Sequence, residues 1–351
     1  MRLYKHQHRF YCGIDLHART LYLHVLDHDG KTHLEKNIVA RPDTFLEAIQ
    51  PFRDRLVVGA ECMFAWYWLA DLCEDERIPF VLGHALYMRM IHGGKSKNDK
   101  IDAAKIAGLL RGGLFPQAYV YPAALRETRD LLRRRTFLVQ QRAQYLTHVT
   151  NTNSQYNLPA FPAKLSYPAN RANIDEIINR FPHESVRHSI RADLALINAL
   201  DAQVDTLESY LTRTAKIDDP VTYHLLRTVP GIGKVIALIL LYEVQDIGRF
   251  ESAGNFLSYS RLVRCQHESA GKTKGAGCTK IGNGHLRWAF GEAACLMLRC
   301  HEPAKRWLQR KTHKCGSKAK ALGILAAETA RAIYHVWRKH QPFDPKKFLT
   351  S

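Results

Sequence analysis

FYCGIDLHARTLYLHVLD, residues 10–27, decides how the first third of the chain is read. FYCGIDLH is a short apolar run, and TLYLHVLD alternates Leu21, Leu23 and Val25 with other residues, the period of a half-buried strand. Strands are therefore expected across residues 9 to 36. Further on, LVVGAE (Leu56–Glu61) has the pattern of a buried strand, WYWLADLCEDE that of a helix and IPFVLGH that of another strand. Strands first, then strand and helix in alternation, predict an α/β layer of about 115 residues.

The pattern changes at Leu125. Leu125, Leu132, Val139 and Leu146 recur every seven residues, with Leu131, Leu138 and Tyr145 beside them, which predicts a long helix with a coiled-coil-like seam. Arg126, Arg129, Arg133, Arg134, Arg135 and Arg142 occupy its other faces. Three prolines in NLPAFPAKLSYPAN (157–170) make a loop or turn region. Ile190, Leu194, Ile197, Val204 and Leu211 then follow alternating steps of four and three, with Asp201 and Glu208 filling two slots. Two such helices can pair with each other, inside one domain or between protomers, and self-association is the expectation. After Pro220 a third region begins, rich in glycine and then in basic residues. GKTKGAGCTKIGNG (271–284) reads as a mobile loop near phosphates.

Composition narrows the classes. The chain has 351 residues, 46% of them hydrophobic, enough for real cores. The formal net charge is +18, spread along the chain, so a polyanion is the expected partner: nucleic acid first, an anionic membrane surface second. No apolar run approaches the roughly 20 residues of a membrane span. MRLYKHQHRFYCG at the start lacks a long apolar core, so no signal peptide is expected. Eight scattered cysteines without a Cys-x-x-Cys pair read as reduced thiols of a cytoplasmic, nucleoid-associated protein. Cys300-His301 and His313-x-Cys315 have the wrong internal spacing for a zinc finger.

Four carboxylates stand out. Asp15 ends the first strand in GIDLH, Glu61 ends another in VVGAE, and Asp99 and Asp102 lie three apart at the start of a helix, on one face of it. Strand-end and helix-start carboxylates can converge at a sheet edge. Such hard oxygen ligands suit Mg²⁺, with substrate phosphates completing the coordination shell. Each has an ordinary reading too: Asp99 as a helix N-cap with Asp102 at N3, and Glu61 as a cap of the aromatic helix. Lys95, Lys97 and Lys100 beside the aspartates suit a nucleic-acid backbone. His17 is read as a solvated loop histidine within reach of the site.

At these residues YCGIDLHARTLYLHVLD, VVGAECMFAWYWLADLC and KSKNDKIDAAKIAGLLRGG resemble the N-terminal domain of the DEDD insertion-sequence transposases, bridge-RNA-guided DNA recombinases. The resemblance implies a RuvC-like, RNase H-like fold. It also implies that Asp15, Glu61, Asp99 and Asp102 are the DEDD set, binding Mg²⁺ with Mn²⁺ able to substitute.

In the last region, LLRTVPGIGKVIALILLYEV (225–244) places Pro-Gly-Ile-Gly between two helical patterns, like a helix-hairpin-helix element. Gly231 and Gly233 would admit a phosphate to the backbone and Lys234 would add charge; the ordinary reading is a packing corner. Ser269 lies among Arg264, His267, Lys272 and Lys274; a serine there binds phosphate, turns the chain or, with activation, attacks it. Asn283 and Arg287 begin a helix, where Arg287 suits a phosphate clamp or a surface salt bridge. Trp307, in a basic helical stretch, reads as a base-stacking residue or as core. This segment resembles the family's C-terminal transposase domain, whose nucleophilic serine precedes a glycine. Here Ser269-Ala-Gly departs by one alanine, and RLVRC lacks a proline common upstream, so Ser258 and Ser260 stand as secondary candidates.

The expected architecture is α/β plus all-α: a RuvC-like domain at 1–122, a helical coiled-coil-like region at 123–218, and a mainly helical transposase domain with a helix-hairpin-helix-like element at 219–351. The resemblance implies RNA-guided, site-specific DNA cleavage and rejoining through the Mg²⁺-dependent DEDD site and a covalent phosphoserine at Ser269. It implies donor and target DNA, a structured guide RNA, and a homodimer or homotetramer. The alternative is a structure-specific DNA nuclease of junction-resolvase type, using the same carboxylates with water.

Overall fold

The central strands are apolar on both faces, so they must be covered from both sides. In the computed structural model, which describes residues 2–91, 98–263, 265–269, 272–277 and 281–349 (89–91, 265–269 and 272–277 as backbone), this is how the first unit is built. The chain divides into two compact units, Met1–Ala123 and Ala124–Ser351.

In the first unit, β2 (Phe10–Leu16), β3 (Thr20–Asp27), β4 (Thr32–Val39), β5 (Leu56–Glu61) and β6 (Phe80–Gly83) form one sheet in the order β4-β3-β2-β5-β6. β2–β3 and β3–β4 are antiparallel; β2–β5 and β5–β6 are parallel. A small pair, β1 (Leu3–Tyr4) and β7 (Phe115–Pro116), stands apart from it. The even residues Cys12, Ile14 and Leu16 bury against α1 (Pro42–Ile49) and α2 (Trp66–Asp75) through Phe45, Ile49, Trp66 and Leu69. The odd side carries Tyr11 and Val57 against Ile106 and Leu110 of α4 (Asp99–Arg111), with Met88 of α3 (Ala85–Ile91) in the same cluster.

Two glycines let α4 lie flush on this side. A Cβ on Gly13 would sit 2.1 Å from the Ala103 carbonyl oxygen and 2.4 Å from the Ala107 nitrogen. One on Gly59 would sit 2.6 Å from Cδ1 of Leu110. Gly13 marks a close approach of helix backbone, and Gly59 makes room for the Leu110 side chain.

The second unit opens with α5 (Ala123–Gln155), followed by α6 (Ile174–Asn179) and α7 (Glu184–Asp218). The seam residues Ile190, Leu194, Ile197, Val204 and Leu211 are all buried. The polar slots are filled within the chain: Glu208 accepts from Arg135 at 2.9 Å, Asp201 from Arg142 and Arg171, and Asp193 contacts His148 at 2.5 Å. As α5 advances by seven residues from Arg135 to Arg142, its partner on α7 recedes by seven, from Glu208 to Asp201. The two helices thus run antiparallel and pair with each other, so this seam serves one protomer. Arg171 also reaches the Leu165 carbonyl, tying down the proline-rich segment.

The rest packs around α9 (Lys234–Val244), buried on every side from Ile236 to Val244 as expected of a helix apolar all round. α8 (Pro220–Leu226), α10 (Ala253–Tyr259), α11 (Gly284–Cys300), α12 (Glu302–Cys315) and α13 (Lys318–Lys339) enclose it. Trp307 belongs to this core. In place of the expected loop, Lys272–Gly277 form β9, antiparallel to β8 (Cys265–Ser269). The strand ladder gives their backbone the partners that an open loop would have to seek from water.

Candidate metal centre and nucleic-acid contacts

Sheet register brings the strand-end acids together. Gly13 pairs with Gly59 and Ile14 with Ala60 on parallel neighbours, so Asp15 and Glu61 follow at the same level. Side chains alternate along a strand. Asp15 therefore shares the face of Gly13, and Glu61 that of Gly59: the face that α4 covers. Because α4 meets Gly13 at Ala103 and Ala107, its first turn extends toward Asp15. That turn carries Asp99 and Asp102.

Asn98 starts this helix, its side chain accepting from the Ile101 amide at 2.8 Å. The capping reading of Asp99 is thereby corrected: Asp99 is the first helical residue and Asp102 lies one further along than N3. Asn98 satisfies the amide, so neither aspartate is needed for it. Asp99 is exposed and Asp102 half-buried.

Asp15 is half-buried, and burial raises its carboxyl above the usual range, with the charges of Asp99 and Asp102 adding to the rise. His17 pulls the other way: its Nε2 lies 3.4 Å from Asp15 Oδ2 and 3.4 Å from Asp99 Oδ1. Lys105 stands 3.7 Å from Asp102. Lys100, expected at the nucleic acid, forms an ion pair with Glu35, which also accepts from the Tyr22 hydroxyl at 3.0 Å. Lys95 and Lys97 lie outside the described residues. Among the described residues, the one group of three or more His, Cys, Asp or Glu side chains close enough to share an ion is Asp15, His17 and Asp99. An oxygen-rich set in which neighbouring carboxylates help to raise Asp15 suits a hard divalent cation. Asp102 acts on Asp15 electrostatically from the same helix turn, and Glu61 is placed beside Asp15 by register alone. His17, read from the sequence as a solvated loop histidine, stands in the group with Asp15 and Asp99. The strand glycines two residues before Asp15 and Glu61 carried a signal, Gly-x-Asp and Gly-x-Glu, for the helix that completes the set.

The second unit separates contact candidates from structural residues. Gly231 has φ +86°, and a Cβ there would lie 2.3 Å from the Ala293 carbonyl oxygen and 2.7 Å from the Met297 nitrogen. Its glycine serves close packing on α11, the packing-corner reading of this turn. Gly233 and Lys234 are exposed at the start of α9, and nothing lies within 4 Å of a Cβ at Gly233. Asn283 is buried, caps α11 by accepting from the His285 and Leu286 amides, and donates to Glu243 at 2.7 Å. Its side chain is engaged inside the protein, by the cap of α11 and by Glu243. Arg287 is exposed and, with Trp288, lines an open groove of about 500 Å³ between α11 and α13. Ser269 ends β8, paired in register with Lys272; Lys274 follows on β9. Ser260 is fully buried, whereas Ser258 is exposed on α10.

Two family models match the chain. Residues 12–157 match the DEDD model of IS110 type, described as a transposase. Residues 223–309 match the model described as the transposase IS116/IS110/IS902 family. A Pseudomonas aeruginosa protein named as a family 20 transposase is 22% identical over 95% of this chain and 98% of its own length. The transposase for insertion sequence element IS1111A of Coxiella burnetii is 23% identical over 94% and 90%. The y4qE protein of Sinorhizobium fredii, named as a transposase, is 27% identical over 58% of this chain, which spans about half (48%) of that relative.

Proposed function

Since the chain belongs to the IS116/IS110/IS902 family of DEDD transposases, we propose that it cuts and rejoins DNA at specific sites under the guidance of a structured RNA. The observation that carries the reading is the convergence of Asp15, Asp99 and Asp102 on the α4 face of the sheet, with Glu61 at the same strand level. The first unit is read as RuvC-like and RNase H-like; its strand order, and a helix laid over the two acid-bearing strands, support this.

Asp15, Glu61, Asp99 and Asp102 would hold Mg²⁺, which supplies charge stabilisation to the phosphate in phosphoryl transfer. Lys95, Lys97, Lys234, Lys272, Lys274 and Arg287 are assigned to the nucleic-acid backbone. Ser269 Oγ attacks the scissile phosphorus and loses its proton. The new bond is Ser269 Oγ–P; the bond broken is P–O3′, freeing a 3′-hydroxyl. A 3′-hydroxyl of the other strand then attacks the phosphoserine and releases Ser269, so the phosphodiester is regenerated without a nucleotide cofactor. The departure Ser-Ala-Gly makes Ser269 itself the element to test.

We assign self-association to the outer face of α7. Leu196, Leu200, Gln203, Leu207, Tyr210, Thr214 and Ile217 follow steps of four and three there, and Leu196, Tyr210 and Ile217 are exposed. The seam expected to join protomers pairs instead with α5, which leaves this second stripe.

The deciding experiment is covalent trapping. Protein, the RNA transcribed beside its gene and matching DNA are incubated with Mg²⁺ and denatured. A DNA adduct is expected with the native chain, lost in Ser269→Ala and kept in Ser258→Ala. Cleavage that survives Ser269→Ala without any adduct would instead favour hydrolysis by water.

A further inference from the structure

Resting on the reading that the acidic set holds a divalent metal, we propose that His17 is a direct ligand of that metal. It adds a nitrogen donor to the carboxylate oxygens and tilts the site toward first-row transition-metal ions over Mg²⁺.

The geometry is that of donors around a common centre. His17 Nε2 stands 3.4 Å from Asp15 Oδ2 and 3.4 Å from Asp99 Oδ1, and the three donor atoms lie within 4.8 Å of one another. A charge-assisted hydrogen bond would draw nitrogen and oxygen to about 2.7–2.9 Å. Donors bonded at about 2.1 Å to one ion stand roughly 3.0 Å apart at right angles and roughly 3.4 Å apart at the tetrahedral angle. The observed separations of 3.4 Å lie about 0.4 Å beyond the right-angle value that an octahedral Mn²⁺ or Mg²⁺ sets, a gap that small rotations of the exposed His17 and Asp99 side chains close.

The backbone that carries the imidazole is fixed. His17 follows the last β2–β3 pair, Leu16 with Leu21, and its amide donates to the Thr20 carbonyl at 3.0 Å. The turn is therefore tied to the same strand that carries Asp15, two residues away. A ligand on a hydrogen-bonded turn loses little freedom when an ion arrives. The His17 side chain is 47% exposed and Asp99 50%, so an ion between them keeps access to water and to a phosphate. Imidazole is a better donor to Mn²⁺ than to Mg²⁺ by its softness and by the order of divalent affinities.

The test uses the full-length protein with Mn²⁺ as the probe. Pulsed electron paramagnetic resonance of the bound Mn²⁺ should show coupling to a ¹⁴N nucleus, and His17→Ala and His17→Gln should remove it. The Mn²⁺ Kd should rise roughly tenfold in both variants, with the Mg²⁺ Kd changing much less. Circular dichroism checks that both variants fold. Mn²⁺ bound through Asp15 without ¹⁴N coupling, or coupling that persists in both variants, overturns the assignment of His17. Mn²⁺ binding unchanged by Asp15→Asn overturns the underlying metal reading and the His17 ligand with it.

Discussion

Two carboxylate centres, one in each unit, obey opposite rules. Glu243 on α9 is buried, and cations surround it: Arg133 donates to both its oxygens at 2.7 and 2.9 Å, Arg129 stands at 3.2 Å and Asn283 donates at 2.7 Å. Burial alone would raise its carboxyl, yet the hydrogen bonds and charges of Arg133 and Arg129 hold it at about 2. Asp15 is half-buried beside Asp99 and Asp102, and its carboxyl is pushed up. The first centre satisfies its charge internally and serves the fold. The second, among the described residues, sets Asp15 beside two further carboxylates with His17 opposing them, which raises its carboxyl and suits a site that must attract a cation.

The sharpest way to break this comparison is Asp15→Asn. DNA cleavage should fall by about 10³-fold or more, near 4 kcal/mol in barrier, while the melting temperature holds or rises. Glu243→Ala should do the reverse in kind. Removing one partner of a buried ion pair costs about 3–5 kcal/mol, measurable by denaturant unfolding. A pH series separates the centres further. Glu243, depressed when folded, contributes stability that is present above its unfolded value near 4.3 and is lost as pH falls toward 2, about 3 kcal/mol in all. Asp15, raised when folded, contributes stability below its unfolded value, lost as pH rises through its folded one. Subtracting Glu243→Gln and Asp15→Asn from the native pH profile should give slopes of opposite sign.

Smaller effects sharpen the picture. Gly13→Ala should destabilise by about 2 kcal/mol or displace α4, because backbone atoms of Ala103 and Ala107 block the methyl group. Gly59→Ala should cost less, since the obstacle is the movable Leu110 side chain. The smallest change is expected for Lys100→Ala. Its pair with Glu35 is exposed and screened by water, so the unfolding midpoint in denaturant should stay where it is in the native chain.

Much of the acid site was legible. Asp15 and Glu61 end apolar runs, and Asp99 and Asp102 open a helix at a three-residue spacing. His17 was legible only as a neighbour, because its distance to Asp99 depends on where α4 docks. Lys100 and Asn283 looked like nucleic-acid contacts from charge and polarity. Each has a partner within the chain, Lys100 in an exposed pair with Glu35 and Asn283 in a buried bond to Glu243, residues far away in sequence. Gly231 looked like a phosphate turn; its neighbour is the backbone of α11.

The sequence by itself determined the elements and their chemistry: periods of two and of seven, strand-end acids, a basic chain, and a Ser269 segment like the family's. Local pattern suffices there, because burial periodicity and helix starts are properties of neighbouring residues. Only the tertiary structure decided which charges meet. It gave Arg135 and Arg142 to Glu208 and Asp201 within one chain, closed Glu243 behind two arginines, and left Asp15 with other carboxylates and one histidine. The reason is physical: a charge's environment is set by what packs within a few ångströms of it. In this fold those neighbours come from elements tens of residues apart.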